Sequence, residues 1–299
     1  MKQILCLSHT PWQASPNRTQ QLMTRLSDTK ILFFEPPAPD GASRQDQGRR
    51  IRSHIIIYTL PAPFPTDPIR TFAQRWAIRR NISFIRSTMD RHHMRAPVLW
   101  CTAPNQNYVI GRIPYCGVVY DCHQEWGDEY VDQESELTTL ADVVFAASPG
   151  LVSRLSPCSD NIALLPNGVS YAMFDRDEFS PPKELAHFSG KSVLGRVGDL
   201  TSQTVLTPLL DAAKEHPEWT FLLIGRVATK ANAILSAYPN IVLTGPVNAV
   251  EIPDYLSVCS VLFDLAKDDL RGCDILPSRI YEYLATGKPT VMMVDPDYT

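Results

Sequence analysis

Residues 274–291 have the sequence DILPSRIYEYLATGKPTV, which predicts a helix followed by a buried strand. Pro277 suits the start of a helix, because the first N–H groups of a helix have no partner within it and proline lacks that group. Gly287 and Pro289 then end the helix and lead into the apolar run of the strand. The repeating unit of this fold is therefore predicted to be a helix that packs on a sheet and returns to it as a strand.

Eleven other short apolar runs precede this strand, each bounded by polar or turn residues. Short runs rich in Val, Ile and Leu are typical of parallel strands that are covered on both faces, and the amphipathic stretches between most of them indicate helices. The chain is therefore predicted to be an α/β protein with two parallel sheets, and the strand count excludes an eight-unit barrel. The predicted sheets have seven strands (KQILCLS, TKILFFE, SHIIIYTL, APVLWC, GVVYD, DVVFAAS, NIALLP) and five strands (KSVLGRV, WTFLLIG, NIVLTG, SVLFDLA, KPTVMMV).

Composition excludes several classes of protein. Hydrophobic residues make up 44% and charged residues 20% of the 299 residues, which is typical of a folded chain. No apolar run is long enough to span a membrane, and the first residues lack the features of a signal peptide. The seven scattered Cys, without a CxxC pair, argue against a disulfide framework or a structural zinc site and favour the cytoplasm. The net charge of −4 argues against a nucleic-acid binder.

The charge is unevenly distributed along the chain. Residues 44–95 contain 11 Arg and three acidic residues, a net charge of +8, whereas residues 171–299 have a net charge of −6. A basic field of that size collects anions such as phosphates or anionic lipid head groups. Residues 69–94 are predicted to form a long helix with Arg on most of its surface and an apolar stripe of Ile69, Phe72, Trp76, Ile82, Ile85 and Met89. Two interpretations stay open: a packed helix with a solvated basic face, and a basic amphipathic helix that lies on a membrane.

The domain boundary is predicted from a polar, Pro-containing segment without hydrophobic periodicity. This segment, residues 167–190, separates the seventh strand from the eighth and is expected to be a linker. The chain is thus expected to have an N-terminal Rossmann-like domain over residues 1–166 and a second domain over residues 191–299.

In the first domain, polar side chains follow two of the predicted strands. Ligands of open parallel sheets bind outside the carboxyl ends of the strands, so these side chains are candidate site residues. His9, Trp12 and Arg18 come after the first strand, and Asp121, His123 and Glu125 follow the strand GVVY.

In the second domain, the start of the predicted helix at 277 is a candidate anion site. Helix N-terminal amides favour an anion, and Ser278 and Arg279 add a hydroxyl and a forked cation suited to phosphate oxygens. Glu282, about one turn further on, can accept two hydrogen bonds from a vicinal diol such as ribose. The alternative is a surface helix in which Arg279 and Glu282 form an ordinary ion pair. Other strand-end candidates in this domain are Arg196, Gly198 and Arg226.

Three segments resemble glycosyltransferases of the GT-B fold, and together they extend the resemblance over nearly the whole chain. PSRIYEYLATGKPTV resembles their donor-binding segment, P-x-[KR]-x-Y-E-Y-L-A-x-G-K-P-V, and LPNGVSYAMF resembles the P-N-G-V-x-x-x-x-F segment that leads into their second domain. YDCHQEW is similar to the Y-D-C-x-D-x-W of a subset of bacterial enzymes of surface-polysaccharide synthesis. The chain is thereby identified as similar to family 4-like bacterial glycosyltransferases.

The resemblance implies two Rossmann-like domains, with parallel sheets, that face a cleft. The second domain would bind a nucleotide-sugar: Arg279 would meet the diphosphate, Glu282 the ribose, and Gly198 would lie under the donor phosphates. Asp274 would take the place of a glutamate that relatives carry eight positions before Glu282. The first domain would bind the acceptor through His9, Trp12 and Arg18, with Asp121, His123 and Glu125 as catalytic candidates. No metal or other cofactor is expected, because arginine and helix amides neutralise the leaving diphosphate in this fold.

Departures from the family pattern concern the donor domain. Asp199 stands where relatives often carry a cation, and Asp274 is shorter than the usual glutamate. The chain stops after the fifth donor-domain strand, whereas GT-B proteins usually continue through further elements, so the last elements are expected to be missing.

The function expected from the resemblance is transfer of a hexosyl group to a lipid-linked or polysaccharide acceptor in the cytoplasm, with peripheral contact at the anionic inner face of the membrane. Two alternatives stay open: a sugar-nucleotide epimerase or phosphorylase on the same fold, and a catalytically weak donor-binding protein. Likeness of fold does not decide among them.

Overall fold

The protein consists of two compact units, Met1–Pro166 and Asn167–Thr299. Each unit has its own sheet and its own apolar core, which confirms the predicted α/β class with two largely parallel sheets. The computed structural model describes residues 2–12, 17–37, 47–65, 71–188, 190–202, 204–265 and 275–292.

The first unit is built on one eight-stranded sheet. Its strands are β1 (Lys2–Leu7), β2 (Thr29–Glu35), β3 (Arg49–Arg52), β4 (Ile55–Thr59), β5 (Val98–Cys101), β6 (Gly117–Cys122), β7 (Val143–Ala146) and β8 (Ile162–Leu164). Their order is β3-β4-β2-β1-β5-β6-β7-β8, and all neighbours are parallel except β3 and β4. Because β1, β5 and β6 are adjacent and parallel, the loops after them start at the same edge of the sheet.

Within its described ranges the first unit has four α-helices beside this sheet, and side-chain caps fix where two of them begin. They are α1 (Arg18–Arg25), α2 (Phe72–Arg91), α3 (Val131–Leu140) and α4 (Pro149–Leu155). Asn17 and Gln20 form a capping box at α1, and Thr71 and Gln74 form one at α2. The cap at Asn17 fixes Arg18 as the first residue of α1.

The sequence predicted seven of these eight strands and missed β3. The strand has the sequence Arg-Arg-Ile-Arg, and its three arginines are exposed, so it carries no apolar run. It forms only by antiparallel pairing with β4 at the sheet edge, a tertiary contact that no local pattern signals.

Helix α2 confirms the predicted long helix, but the predicted apolar stripe is wrong at two positions. Phe72 is 80% exposed and Trp76 is 49% exposed, whereas Ile82, Ile85 and Met89 are buried together with Ile78. At about 100° per residue, Phe72 and Trp76 point more than about 100° away from the buried row. Ile69, the first residue of the predicted stripe, lies outside the described residues. None of the described helices has the length and apolar character needed to cross a membrane.

The second unit contains a five-stranded parallel sheet with helices between its strands. The strands are β9 (Val193–Val197), β10 (Thr220–Ile224), β11 (Ile241–Gly245), β12 (Val261–Phe263) and β13 (Thr290–Val291), in the order β11-β10-β9-β12-β13. The helices are α5 (Thr207–Glu215), α6 (Thr229–Leu235), α7 (Ile252–Ser257) and α8 (Ser278–Ala285). Strand β9 is central, and buried Tyr283 of α8 receives the Val197 N–H at 2.7 Å. This bond fixes α8 against the end of β9.

Residues 167–190, expected to be a linker, pack into the second unit over their described part. Two short 3-10 helices, Tyr171–Met173 and Lys183–Phe188, lie in this range. Phe174, Leu185 and Phe188 are buried in the core of the second unit. The segment lacks periodicity because single apolar residues, rather than a regular face, contact that core.

Candidate active site

Two glycines form the floor of a candidate site at the carboxyl ends of β9 and β10. Gly198 has φ +117° and Gly225 has φ +142°, conformations that other residues rarely adopt. A Cβ on Gly225 would lie 2.7 Å from the Gly198 carbonyl oxygen. The Gly198 N–H donates to the Ile224 carbonyl at 2.8 Å, so the two strand ends are held together. Neither glycine places a side chain at this edge of the sheet.

Asp264, directly after β12, binds two arginines from neighbouring elements. Its Oδ2 lies 2.9 Å from Nε and 2.7 Å from Nη2 of Arg279, the second residue of α8. Its Oδ1 lies 3.2 Å from Nε of Arg196 on β9, whose Nη1 donates to the Gly198 carbonyl at 2.7 Å. Burial and the neighbouring Arg279 lower the pKa of Arg196. One carboxylate faces two guanidiniums, so the cluster keeps a positive charge at the N-terminal end of α8.

Solvent reaches only one arginine of this cluster. The side chain of Arg196 is 3% exposed and that of Arg279 is 24% exposed. The helix pairs Arg279 with Asp264 and not with Glu282, so the surface ion pair that the sequence left open is not formed. Arg279 is thus the cation of this cluster that an anion can contact.

Glu282 lies one turn along α8 from Arg279 and is half-buried. Burial raises the pKa of its carboxyl to about 7, and Arg279 acts in the opposite direction. Among the described residues none donates a hydrogen bond to this carboxylate. Ser278 is the first residue of α8 and is exposed. Asp274, the predicted partner of Glu282, lies outside the described residues.

Asp199, at a position where the family resemblance led us to expect a cation, binds the side chain of Arg226. Its carboxylate accepts the backbone N–H of Arg226 at 2.9 Å and binds the guanidinium through Nε at 2.9 Å and Nη2 at 2.7 Å. The Arg226 side chain is 69% exposed. The loop after β9 and the loop after β10 are therefore joined by an ion pair at the outer rim of the glycine floor.

In the first unit, His9 and His123 come together at the ends of β1 and β6. Their ring centroids are 5.1 Å apart, and the indole of Trp126 meets His9 edge-on at 5.4 Å. Burial, followed by the neighbouring His123, lowers the pKa of His9 to about 3, and burial also lowers the pKa of His123. Both imidazoles are therefore uncharged at neutral pH.

A hydrogen bond to the backbone fixes the tautomer of His123. Its Nδ1 lies 3.0 Å from the Asp121 carbonyl oxygen, which can only accept. The ring of His123 therefore carries its proton on Nδ1 and a lone pair on Nε2, which can accept a hydrogen bond from a hydroxyl. Nδ1 of His9 lies 3.0 Å from the Thr102 hydroxyl, which lies 3.2 Å from the Leu7 carbonyl oxygen.

Arg18 and Asp121 are partners of each other. Nε of Arg18 donates to Oδ1 of Asp121 at 2.9 Å, and Nη1 donates to the Pro166 carbonyl at 3.0 Å. Asp121 is fully buried, and Arg18 is 9% exposed. The pair joins the start of α1 to the end of β6, which holds the loop that carries His123. Their geometry fits positioning of this loop and not direct contact with a ligand.

The other two candidates of the first unit make local contacts. Glu125 pairs with Nε of Arg154 at 3.1 Å, and Arg154 also binds the buried carboxylate of Glu134. The backbone N–H of Trp12 donates to Glu35 at 2.7 Å, and its ring meets Phe33 edge-on at 5.0 Å. These contacts of Trp12 and Glu125 are structural.

Two residues that organise the site were not singled out from the sequence. Asp264 directly follows the run SVLF, and Thr102 directly follows VLWC. The strand-end rule that identified His9 and His123 applies equally to both positions. In the part of the chain that the structure describes, no group of three or more His, Cys, Asp or Glu side chains could hold a metal ion.

Two units built on largely parallel sheets, with polar side chains at the strand ends, share their fold with solved structures of the GT-B class. Sucrose-phosphate synthase from Thermosynechococcus elongatus matches with a TM-score of 0.74 at 12% identity, covering 98% of this chain and 81% of that chain. Anabaena HepE in complex with UDP and glucose matches with a TM-score of 0.64 at 15% identity, covering 98% of this chain and 80% of that chain. HepE in complex with UDP-glucose gives a TM-score of 0.66 at 14% identity over the same shares.

In sequence, the chain is similar to TuaH of Bacillus subtilis (strain 168), a protein named as a glycosyltransferase of teichuronic acid biosynthesis. The two are 26% identical over 215 residues, which cover 64% of this chain and 54% of TuaH. The chain thus spans about half the length of that relative. No family model matches the chain.

Proposed function

We propose that the protein is a glycosyltransferase that moves a hexosyl group from a nucleotide-sugar to a lipid-linked or polysaccharide acceptor. The observation that carries this proposal is the arrangement of Arg279 and Glu282 on α8. One side chain offers a cation, and one turn away the other offers an open carboxylate. A nucleotide joins a diphosphate to a ribose diol, so one nucleotide can contact both side chains. The complexes of HepE with UDP-glucose and the name of TuaH support the same reaction class.

In this proposal the second unit binds the donor. Arg279, the Ser278 hydroxyl and the first amides of α8 contact the diphosphate, and Glu282 accepts two hydrogen bonds from the ribose. Gly198 lets a phosphate approach the backbone, because a side chain at that position would extend over the loop. Arg226 supplies a second cation at the rim, and Arg196 acts through Asp264. Asp274 is proposed to bind a hydroxyl of the sugar.

The leaving diphosphate is stabilised by the positive charge of the Asp264 cluster and by the dipole of α8. These groups provide fixed positive charge where negative charge develops, so we expect transfer without a metal ion. Activity that is unchanged in excess EDTA would agree with this expectation, and activity that returns only with a divalent cation would contradict it.

The first unit is proposed to bind the acceptor. Nε2 of His123 accepts the hydrogen of the attacking hydroxyl, and Nε2 of His9 holds a second hydroxyl. His9, with a pKa of about 3, is too weakly basic to take up a proton at neutral pH, so its contribution is a hydrogen bond. Arg18, Asp121, Trp12 and Glu125 shape the loops around this pair.

We place the reaction in the cytoplasm, at the inner face of the membrane, because the basic residues of the first unit favour an anionic surface. This assignment agrees with a lipid-linked acceptor. It does not depend on the identity of the nucleotide.

Calorimetry with UDP and UDP-glucose, followed by an assay of UDP release with and without a lipid extract, tests the proposal. Arg279→Ala and Glu282→Ala should each weaken UDP binding about tenfold or more, since loss of a hydrogen bond to a charged group costs about 1.5–3 kcal/mol. Lys214→Ala, which removes an exposed cation from α5, is the matched control and should bind as the wild type does. Unchanged UDP affinity in both α8 variants would contradict the donor site. Conversion of UDP-glucose without an acceptor would indicate an epimerase instead.

A further inference from the structure

Helix α2 exposes large aromatic side chains next to arginines. Phe72 is 80% exposed and Trp76 is 49% exposed. The guanidinium of Arg80 lies over the Trp76 ring, 4.8 Å from its centroid. Two exposed aromatic residues within the first turns of one helix are not needed for packing, because Ile78, Ile82 and the following buried residues already attach α2 to the sheet. Their exposure points to a partner outside the chain.

Beside these aromatics, α2 and the turn at Gly111 and Arg112 enclose a groove of about 790 Å³. Four arginines and two isoleucines line it together with Ser83; the residues are Arg75, Arg79, Arg86, Arg112, Ile78 and Ile82. Among the described residues that line the groove none is acidic. Four like charges around one groove repel one another, so an anion in the groove stabilises the arrangement.

One of the four arginines is fixed in place by the backbone. Nε and Nη2 of Arg86 donate to the Arg112 carbonyl at 2.8 Å and 2.5 Å. This bond ties the middle of α2 to the turn on the other side of the groove. The guanidinium is held before a ligand arrives, which lowers the entropy that binding costs.

We propose that α2 is a docking face for an anionic phospholipid bilayer, with a lipid phosphate in the arginine groove and with Phe72 and Trp76 inserted between head groups. Charge complementarity selects a phosphate-rich surface, and the two aromatic side chains select a lipid interface over a dissolved anion. A free phosphate satisfies the arginines but leaves the exposed parts of Phe72 and Trp76 in water. This inference deepens the proposed function by naming the surface and the lipid class of its membrane contact.

The test is co-sedimentation of the full chain with vesicles of phosphatidylcholine alone and with vesicles that also contain phosphatidylglycerol. We expect binding to the anionic vesicles only, with an affinity that falls steeply as salt rises. Each arginine close to an anionic surface contributes about fivefold in affinity, so Arg75→Gln, Arg79→Gln and Arg86→Gln together should weaken binding by about a hundredfold. Phe72→Ser with Trp76→Ser should weaken it without a change of charge.

The matched control removes the same number of charges elsewhere in the first unit. Arg49→Gln, Arg50→Gln and Arg52→Gln together act on the exposed strand β3. In samples cleared of aggregates before vesicles are added, they should leave binding within about twofold of the wild type, because binding energy comes from charges close to the surface. Equal losses in the two triple variants would overturn the groove and leave only a net-charge effect. Equal binding to neutral and anionic vesicles, or binding to neither, would overturn the proposal.

A second measurement does not depend on arginine variants. Brominated phosphatidylglycerol should quench the fluorescence of Trp76 in the wild type, and Trp76→Phe, which keeps an aromatic side chain, should remove that quenching while vesicle binding persists. If inorganic phosphate displaces the protein from vesicles only when it raises the ionic strength, the result agrees with a lipid site. Saturable binding of phosphate without any vesicle binding would overturn it. UDP binding by the same sample reports separately on the donor site, so failure of one proposal is distinguishable from failure of the other.

Discussion

Arg279 reaches Asp264 with two nitrogens, which lie 2.9 Å and 2.7 Å from a single carboxylate oxygen. The other oxygen of Asp264 is left for Arg196, 3.2 Å away. Asp264 therefore fixes Arg279, the more exposed of its two arginine partners, while buried Arg196 fixes Asp264. The cation at the start of α8 is positioned by a chain of contacts that runs back to the central strand of the sheet.

We predict that Asp264→Asn destabilises the second unit and makes it more dependent on a bound anion. Removal of one partner of a buried ion pair typically costs about 3–5 kcal/mol, and here it leaves two guanidiniums side by side. UDP supplies negative charge in their vicinity, so it should raise the Tm of the variant more than that of the wild type. Thermal unfolding with and without UDP measures both effects.

The control for this prediction is Asp254→Asn, which breaks a more exposed pair with Arg176 whose atoms are 3.6 Å apart. That change should lower the Tm only slightly, since exposed pairs contribute about 0–1 kcal/mol. An Asp264→Asn protein with the stability of the wild type would show that the two arginines do not need this carboxylate.

The UDP affinity of the wild type should rise between pH 6 and 8, a window set by the Glu282 pKa of about 7. Only the ionised carboxylate accepts two hydrogen bonds from the ribose, so protonation below this pKa removes one of them. Ionisation of UDP itself also contributes, and Glu282→Gln isolates that contribution. A difference between wild type and Glu282→Gln that is constant with pH would contradict the role of this carboxylate.

Stability should change with pH in the opposite sense. The folded protein holds a proton on Glu282 up to a pKa of about 7, whereas the unfolded chain releases it near 4.5. The folded state therefore binds more protons in this window, and the free energy of unfolding falls as pH rises from about 4.5 to 7. Glu282→Gln should lose this dependence. Denaturant unfolding of both proteins at pH 5 and pH 8 should show a wild-type loss larger by about 2 kcal/mol.

Thr102→Val should impair acceptor use and spare the donor. The variant loses the hydroxyl that contacts Nδ1 of His9, so the ring is no longer held in one orientation by this bond. We expect KM for the acceptor to rise about tenfold, in line with the loss of about one hydrogen bond, while UDP affinity stays unchanged. Thr102→Ser keeps the hydroxyl and should restore the wild-type KM. A Thr102→Val enzyme with the wild-type KM would show that this contact with His9 does not matter.

Local pattern predicted most of this fold, because buried parallel strands have apolar runs and twelve of the thirteen strands in the described residues have one. It failed at β3, whose arginines form a strand only through pairing with β4. It also misplaced Phe72 and Trp76, because a spacing of three or four residues does not by itself place apolar residues on one face of a long helix. Residues 44–46 and 66–70 of the basic region 44–95 lie outside the described residues.

The sequence predicted which residues belong to the candidate site, but not which of them contact each other. Strand ends identified Arg196 and His123, and a helix start identified Arg279, whereas the order of the strands in the sheet decides which of these ends meet. Asp264 lies beside Arg196 because β12 pairs with β9, although the chain places β10 and β11 between them. In the same way Asp121 meets Arg18 across 103 positions of sequence. Sequence spacing contains no record of such neighbours, so the two ion pairs came only from the structure.

Strand β3 has a further consequence for the molecule. It closes one side of the eight-stranded sheet, where unpaired backbone N–H and C=O groups invite another chain to add a strand. Arg49, Arg50 and Arg52 place charge on most of its four positions, so a second copy approaching this side meets like charge before it can form a hydrogen bond. The same arginines that leave β3 without an apolar run protect the sheet against edge-to-edge aggregation.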